Sequence, residues 1–395
     1  MRAPRLVVGA LAAALLTAVA GTATAAVPSP PTVPGWPKQL PAGPVVQGPQ
    51  GGLVLVSPYG DGFAARAFRR DGRRLWTTVQ PANCGNCDDG PQPVINRPDG
   101  TVGPIGHLGD YGWAVDREGR LARPCVGVMF PDGSCVGAGS VIPLPLDGVG
   151  DRPAFGGDIA GTPDQGWTLP VPGYRWLGDW PPMTVRDAGG IVYAAFIEPT
   201  PIGRPLGDTV PGILVAVDPA AQRILWVVEG PEQALAGLTS GVLVHQGGRL
   251  VTYRPDGTVA WTRAIPEGEY VTPASVVADP ARGGLYIGRL RVPHGTGGQG
   301  VTALDPDTGA QVWRTRPADR ARLLSVGRGG RVYVAIGDPR RLAVRALRSR
   351  DGAAVWERRT RLRAQSAREL VNGTVAVSAG DPSGRPGTLT LLDPR

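Results

Sequence analysis

The sequence has a single lysine, Lys38, and that lysine follows a proline. A phosphate-binding loop needs a glycine followed directly by lysine, so the chain contains no such loop. Outside residues 1–25, no apolar run is long enough to cross a bilayer. Helical signals are scarce, and the best candidate, residues 232–237, is about one turn long and ends in glycine. These absences exclude a P-loop nucleotide-binding protein, a multi-span membrane protein and a helical bundle.

The N-terminus has the pattern of a secretory signal peptide. Two arginines precede an apolar run over residues 6–20, and a stretch of small residues follows. This order predicts a signal peptide over residues 1–25. No cysteine follows the run, so a lipid anchor would lack its attachment thiol. We expect a disordered, proline-rich segment over 26–35, a single domain over 36–395, and a secreted or wall-associated protein.

Positive charge is modest and nearly all of it is arginine. Lysine and arginine number 41 against 33 acidic residues, and the net charge is +8. A nucleic-acid surface needs basic residues gathered on one face with aromatic rings between them. One dense run contains Arg340, Arg341, Arg345, Arg348, Arg350, Arg358, Arg359, Arg361 and Arg363. We interpret it as a solvated hairpin in preference to an anion-binding face, and we expect no nucleic-acid partner.

Glycine and proline are abundant, with 59 and 42 residues, and they follow no collagen period. Short β-branched runs lie between them, which predicts many strands joined by tight turns. The clearest predicted strands lie at 52–58, 190–199, 283–293, 330–339 and 373–382. A second strand follows each of them, and most of these second strands run into an acidic turn.

An acidic turn that contains glycine, with a tryptophan four residues after it, recurs along the chain. DPDTGAQVW ends at Trp313, RPDGTVAW at Trp261, SRDGAAVW at Trp356 and RRDGRRLW at Trp76. The turn glycines, or the residue aligned with one, are Gly72, Gly119, Gln222, Gly257, Gly309 and Gly352. Neighbouring copies are 35 to 52 residues apart, except for one gap of 103 residues. A weak copy at Gly166 and Trp167 falls in that gap. We therefore predict an all-β propeller of eight four-stranded blades, or seven if the weak copy is a decoration.

The residue types of the repeat have a structural explanation. The acidic residue bonds backbone nearby, and the glycine takes the positive φ that a tight turn requires. The tryptophan then stands on the outer strand, where its ring covers the apolar seam between neighbouring blades. We predict such structural roles for Trp36, Trp76, Asp218, Trp226, Gly257, Trp261, Asp305, Gly309, Trp313, Gly352 and Trp356.

The two ends of the chain complete each other in the repeat pattern. The sequence stops shortly after Leu392, where every other copy continues to a tryptophan strand. Trp36 has the register of the missing tryptophan, 40 residues before Trp76. We predict that the N-terminal segment supplies the outer strand of the last blade and pairs with GTLTLLDP, so that no sheet edge stays open.

The stretches VTALDPDTGAQVW and LVAVDPAAQRILW resemble the PQQ-like β-propeller repeat of the quinoprotein alcohol dehydrogenase-like superfamily. The resemblance is strongest from residue 190 to the end, and it implies a propeller fold. The superfamily includes enzymes, and it also includes non-enzymatic members such as the propeller lipoprotein of outer-membrane assembly. The enzymes place an adjacent Cys-Cys disulfide over the quinone and acidic and amide ligands on calcium. This chain has Cys84 and Cys87 with two residues between them and nothing that aligns with those ligands, so we expect no cofactor, with PQQ and calcium as the alternative.

Two function classes follow from this reading. We expect a non-catalytic exported monomer that binds a protein, a wall polymer or a small ligand, as a binding or scaffold module at or outside the cell envelope. The alternative is an enzyme that uses the central funnel, either a quinoprotein dehydrogenase or a carbohydrate-active enzyme.

The four cysteines, Cys84, Cys87, Cys125 and Cys135, predict disulfides because an exported chain meets an oxidising compartment. Three pairings are open, and we favour the two local ones, Cys84 with Cys87 and Cys125 with Cys135. A zinc site of all four thiolates also fits the count.

Other candidate site residues are interpreted as ordinary loop, turn or strand residues. The histidines are His107, His245 and His294, and they fall in different units. The acidic loops with Asp88, Asp89, Asn96 and Asp99 lack the ligand spacing of a calcium loop. The glycine-rich stretch 295–300 leads into a strand where a dinucleotide site needs a helix, so we interpret it as an inter-strand loop.

Overall fold

The computed structural model describes residues 27–59, 62–80, 94–96, 102–104, 114–122, 128–129, 135–136, 155–160, 168–176, 183–196, 200–201, 212–267, 269–291, 295–338, 341–380 and 386–394. Most of these residues lie in strands or in the tight turns that join them.

The strands are β1 (Lys38–Pro41), β2 (Val45–Gln47), β3 (Leu53–Tyr59), β4 (Gly62–Phe68), β5 (Arg74–Gln80), β6 (Val94–Asn96), β7 (Val102–Pro104), β8 (Ala114–Val115), β9 (Leu121–Ala122), β10 (Val128–Met129), β11 (Cys135–Val136), β12 (Phe155–Ala160), β13 (Thr168–Trp176), β14 (Met183–Arg186), β15 (Val192–Phe196), β16 (Thr200–Pro201), β17 (Ile213–Asp218), β18 (Arg223–Glu229), β19 (Gln233–Gly237), β20 (Val242–Gln246), β21 (Arg249–Tyr253), β22 (Val259–Ala264), β23 (Glu269–Tyr270), β24 (Val276–Asp279), β25 (Gly284–Arg291), β26 (Gly295–Leu304), β27 (Gln311–Arg314), β28 (Arg322–Val326), β29 (Arg331–Asp338), β30 (Arg341–Arg348), β31 (Ala354–Arg359), β32 (Ala364–Glu369), β33 (Val375–Ala379) and β34 (Pro386–Leu392). Short 3-10 turns lie at Pro49–Gly51, Pro273–Ser275, Pro280–Arg282 and Pro317–Asp319.

The strands form antiparallel sheets of near neighbours along the chain, which is how propeller blades are built. These sheets are β2-β3-β4-β5, β6-β7-β8-β9, β14-β15-β17-β18, β19-β20-β21-β22, β23-β25-β26-β27 with β24 also on β25, and β28-β29-β30-β31. One further sheet, β1-β34-β33-β32, joins the first strand to the last three, and we call it the closing blade. Innermost strands of successive sheets contact one another in the order β14, β19, β24, β28, β32, β2 and β6. The fold is therefore the predicted all-β propeller.

The number of blades stays a prediction. Seven sheets of four or more strands lie in the described residues. A three-stranded sheet, β12-β13-β16, and a hairpin, β10-β11, lie in the long gap between repeats. The weak copy at Gly166 and Trp167 falls outside the described residues, so eight and seven blades both remain open.

The strands predicted from β-branched runs are confirmed as β3, β15, β25, β29 and β33. Two predictions are wrong. Residues 232–237 are not a helical turn, because Gln233–Gly237 is β19, an innermost strand that pairs with β20. The glycine-rich stretch 295–300 is not a loop, because β26 begins at Gly295 and already pairs with β25 there.

Burial along the strands reflects their place in a blade. Ile213–Asp218 on the third strand of a blade is buried at every position except the last, since sheets cover both of its faces. The outer strand beside it, Arg223–Glu229, is only partly buried and ends in charged residues. Continuous apolar runs therefore mark middle strands, and mixed runs mark outer ones.

Each repeat tryptophan attaches its blade to the next one through the turn between the two outer strands, which we call the outer turn. The Trp261 indole N–H donates to the Pro306 carbonyl at 2.8 Å, and Trp313 donates to Ser349 at 2.6 Å. The same bond joins Trp36 to Arg70, Trp76 to Arg117 and Trp226 to Pro255. The ring also lies flat against the next turn, since a Cβ added to Gly309 would be 2.6 Å from Trp261 Cδ2. The turn glycine is thus required by its positive φ and by the ring above it.

The residues opposite the tryptophans and the acidic residue of the motif stabilise the same turn. Small residues face the tryptophans across the outer hairpin, and a β-bulge follows each of them; these residues are Ala67, Ala216, Thr252, Ala303 and Ala346. Asp305 accepts hydrogen bonds from the backbone of Asp307 and Thr308. Those bonds and the Thr308 hydroxyl lower the pKa of Asp305. Gln222 has φ 51°, so it adopts the glycine conformation in the one repeat that lacks the glycine.

The predicted closure of the ring is confirmed. β1 pairs antiparallel with β34, from Lys38 opposite Leu389 to Pro41 opposite Pro386. Trp36 is only 8% exposed, and its ring packs edge-on against Phe68 at 5.7 Å. It belongs to one apolar cluster with Leu389 and Leu391 of the C-terminal strand.

The proline-rich segment before β1 is not the disordered tail that its composition predicts. Val33 N–H donates to Leu391 O at 2.8 Å, and Asp393 N–H donates to Pro31 O at 3.0 Å. Glu357 N–H donates to Pro28 O at 2.9 Å. Prolines keep their carbonyl acceptors, so a segment with few N–H groups still joins the closing blade to its neighbour.

Trp356 is the exception among the repeat tryptophans. It is 3% exposed, and its indole N–H has no hydrogen-bond partner in the described part of the chain. The next blade is the closing blade, whose two outer strands, β34 and β1, are far apart in the sequence and are not joined by a tight turn. The carbonyl that accepts the bond in the other blades therefore has no counterpart in the described residues of the closing blade.

The substitution Trp36→Ala should lower the free energy of unfolding by about 3 kcal/mol or more, because it empties a buried site and removes the bond to Arg70. Urea denaturation of the two proteins measures the difference. Ser29→Ala, in the exposed part of the proline-rich segment, should unfold like the parent. Equal midpoints for Trp36→Ala and the parent would show that β1 does not hold the ring closed.

The substitution Gly309→Ala tests the contact between ring and turn. Gly283 is a matched control, since it has a similar positive φ but nothing within 4 Å of an added Cβ. Gly283→Ala should lower the free energy of unfolding only by the cost of an alanine in the left-handed conformation, about 1–2 kcal/mol. Gly309→Ala should lower it clearly more, because Trp261 must also move. Equal losses in thermal or urea unfolding would mean that the ring does not constrain this turn.

Candidate functional site

The candidate site is the inner wall of the ring between β28 and β32, two innermost strands that lie side by side. Arg322, at the start of β28, reaches across to β32. Its Nη2 donates to Ala364 O at 2.6 Å and to the backbone and side-chain oxygens of Gln365 at 3.3 Å. All three acceptors are neutral, so these bonds hold the guanidinium in place without compensating its charge. Burial, and then the charge of Arg363, lowers the pKa of Arg322.

Arg368 adds a second guanidinium near the other end of β32. It lies about 10 Å along the strand from the Arg322 bonds, given the rise of a strand per residue. Its side chain is exposed, and yet burial and then Arg328 lower its pKa. Both observations fit a side chain in a recess that is crowded by protein but open to solvent. No described carboxylate pairs with Arg322 or Arg368.

Two carboxylates beside inner strands, Glu369 and Asp187, accept hydrogen bonds from tyrosine hydroxyls. Glu369 accepts a hydrogen bond from the Tyr333 hydroxyl at 2.8 Å. Asp187 accepts from the Tyr193 hydroxyl, at 2.9 Å, and from two backbone N–H groups. Burial, followed by the adjacent carboxylate, raises the pKa of Tyr193 and of Tyr333. These carboxylates therefore bind hydroxyl and backbone donors of the inner turns and do not pair with Arg322 or Arg368.

The dense arginine run found in the sequence does not form a single surface. Arg345 is 14% exposed and bonds Asp319 at 2.8 Å and Glu357 at 2.7 Å. Burial alone lowers the pKa of Arg345, but the hydrogen bonds and charges of these two carboxylates raise it overall. Other members pair elsewhere: Arg348 and Arg350 with Asp351, and Arg358 with the Thr32 hydroxyl. The solvated-hairpin interpretation therefore holds only for exposed members such as Arg359 and Arg361.

Several predicted site residues fall outside the described residues: Cys84, Cys87, Cys125, His107, His294, Asp88, Asp89 and Asp99. Only the backbone of Cys135 and Asn96 is described, in β11 and β6. The disulfide prediction and its zinc alternative thus stay predictions. His245 lies on β20, with Nδ1 2.9 Å from Glu232 Oε2. No group of three metal-ligating side chains occurs in the described part of the chain.

Arg322 and Arg368 were not singled out by sequence reasoning. They belong to different repeats and to strands with no shared motif, ARLLSV and AQSARE. The sequence signal for such a residue is an arginine in the strand that comes just before a middle strand. The middle strand is recognised by its continuous run of apolar residues. That signal identifies an innermost strand but not the direction of its side chain.

Comparison with known proteins agrees with the fold. Residues 254–395 match a family model described as outer membrane protein assembly factor BamB. The Pan2 WD40 domain of Neurospora crassa is similar at 10% identity and a TM-score of 0.47, over 90% of each chain. Virginiamycin B lyase from Staphylococcus aureus is similar at 11% identity and a TM-score of 0.45, over 90% of this chain and 99% of that one. No curated protein matches the chain in sequence. Residues 254–395 thus resemble this family, and the four-stranded sheets of the described chain form a propeller.

Proposed function

We propose that the protein is an exported, non-catalytic binding or scaffold module that holds an extended anionic ligand against the inner wall between β28 and β32. The observation that carries the proposal is the pair Arg322 and Arg368. One guanidinium is anchored by neutral oxygens and the other has no described partner, so both keep the charge that an anion would neutralise. Charge-assisted bonds to such groups are among the stronger ones in proteins.

The side chains of this wall favour binding over proton transfer. A general acid or base must gain and lose a proton near neutral pH, whereas arginine stays protonated there. The nearest described carboxylate, Glu369, is engaged by a tyrosine hydroxyl. The wall therefore supplies positive charge and hydrogen-bond donors.

Export is supported by the sequence pattern of residues 1–25 and by the family model, whose description names an outer membrane protein assembly factor. None of the described helical segments has the length and apolarity to pass through a membrane. The ligand then belongs to the compartment outside the cell membrane, where anionic wall polymers and protein segments are available partners. The Arg322 bonds and Arg368 are about 10 Å apart along β32, which favours a ligand with several phosphate or carboxylate groups.

Titration calorimetry with inorganic tripolyphosphate tests the inner wall, because this probe spans several charged groups. Arg368→Gln and Arg322→Gln should each weaken binding about tenfold, as expected for the loss of roughly 1.4 kcal/mol. Arg359→Gln removes the same charge from an exposed outer strand and should bind like the parent. Equal affinities for Arg368→Gln and the parent, or no binding by the parent, would refute an anion site on this wall.

The enzyme alternative is tested by adding PQQ and Ca²⁺ to the purified protein. We expect no change in the visible spectrum of the quinone and no dye-linked oxidation of alcohols, since no residues align with the quinoprotein ligand set. A shifted quinone spectrum together with alcohol-dependent dye reduction would refute the non-catalytic function and show that the protein is a quinoprotein dehydrogenase.

A further inference from the structure

A cleft opens on the face of the ring that carries the inner and outer turns, at the seam where the chain ends meet. Its volume is about 530 Å³, and it is lined by Val33, Pro34, Gln50, Arg69, Arg70 and Asp71. The first two residues come from the segment before β1. Gln50 comes from the inner turn of the sheet β2–β5, and the last three come from its outer turn. The cleft therefore lies at the seam, where the segment before β1 meets the turns of the sheet β2–β5.

The walls of this seam cleft are fixed by hydrogen bonds. Trp36 Nε1 donates to Arg70 O at 2.7 Å, which ties the outer turn to the N-terminal segment. Within the turn, Arg69 N–H donates to Arg73 O at 2.9 Å, and Asp71 Oδ1 accepts from Arg73 N–H at 2.9 Å. The guanidiniums of Arg69 and Arg70 thus project from a turn that is already ordered. A preorganised surface loses little entropy when it binds.

The outer turn that lines the cleft is the most basic of the outer turns in the described residues. The cations of this region are Lys38, Arg69, Arg70, Arg73 and Arg74, and the carboxylates are Asp71 and Asp393. An ion pair joins Arg70 Nη2 to Asp393 Oδ2 at 3.3 Å, and both side chains are solvent-accessible. By contrast, the turn after β26 carries Asp305 and Asp307 and no arginine. The charge is therefore a feature of this turn and not of the repeat.

We propose that the seam cleft docks an acidic peptide segment of a partner protein that also carries apolar side chains. Its carboxylates bind Arg69 and Arg70, for which the planar guanidinium is well suited. An apolar side chain of the peptide covers Pro34, which is exposed and follows Val33, a buried member of the cluster of Trp36 and Phe68. This site is independent of the inner wall. It is formed by the segment before β1 and the sheet β2–β5, and it shares no residue with the wall between β28 and β32.

Two other occupants fit the cleft less well. A lipid surface needs apolar side chains that project outward together, but the large exposed apolar residues of the described chain are scattered: Val27, Tyr59, Val79, Val259, Val312, Leu362 and Val371. A nucleic acid needs exposed aromatic rings for stacking, whereas Trp36 is buried beneath the turn. A recessed, partly apolar cleft with a basic rim matches the side chains of an acidic peptide.

The test uses a short fluorescein-labelled peptide of alternating leucine and glutamate, and fluorescence anisotropy at low salt. Arg69→Glu should weaken binding by at least about tenfold, because it replaces an attraction by a repulsion. Arg254→Glu is the matched control, since Arg254 holds the position of Arg69 in the turn Arg254 to Gly257, and it should leave binding unchanged. Replacing the leucines of the peptide by serine should also weaken binding. Thermal unfolding of each variant establishes that the ring is intact.

Equal binding by Arg69→Glu and the parent would overturn the proposal. So would failure of the peptide to bind while phosphatidylglycerol vesicles or single-stranded DNA bind in an Arg69-dependent way, because the occupant would then be a different class of molecule. Arg368→Gln should bind the peptide like the parent. Loss of peptide binding in Arg368→Gln would move the site to the inner wall, and it would refute the seam cleft while leaving the proposed function in place.

Discussion

The hydrogen bond from an outer-strand indole to a carbonyl of the next blade's turn, made by every repeat tryptophan of the described residues except Trp356, is the contact on which this ring depends. It explains residue choices that look unrelated in the sequence. The turn needs glycine because a ring lies on it, as Trp313 lies on Gly352. The residue opposite the tryptophan is small, and the bulge beside it turns the strand toward the next blade. One contact, repeated from blade to blade, thus sets turn, pairing and spacing together.

Much of the fold was readable from the sequence because these constraints are local. β3 and β33 were found from short β-branched runs, and the closing strand was found from a tryptophan in the right register. The errors occurred where pairing with another strand overrides local preference. Residues 233–237 contain good helix formers, yet their partner strand Val242–Gln246 makes them an innermost strand. Glycines 295 and 298 carry no side-chain signal for strand, although β25 supplies their partners.

The candidate sites were harder to predict, because each is made by residues that the ring brings together. Arg322 meets β32 only because two successive blades place their innermost strands side by side. The seam cleft combines a segment near residue 33 with turns near residues 50 and 70, and a linear motif marks none of these as a site. Arginine suits both places, since one nitrogen can bond a neutral oxygen while the charge remains available. The charge of the chain was thus visible in its composition, but its arrangement was not.

The pairing of β1 with β34 also determines when the molecule can become complete. The two strands are far apart in the sequence, so the closing blade cannot form until Pro386–Leu392 has been synthesised. Until then, β33 has no outer neighbour and β1 has no partner strand. Contacts of such long sequence separation make folding slow and leave strand edges open for longer. The closing blade is therefore the sheet with the longest interval in which its strands can pair wrongly.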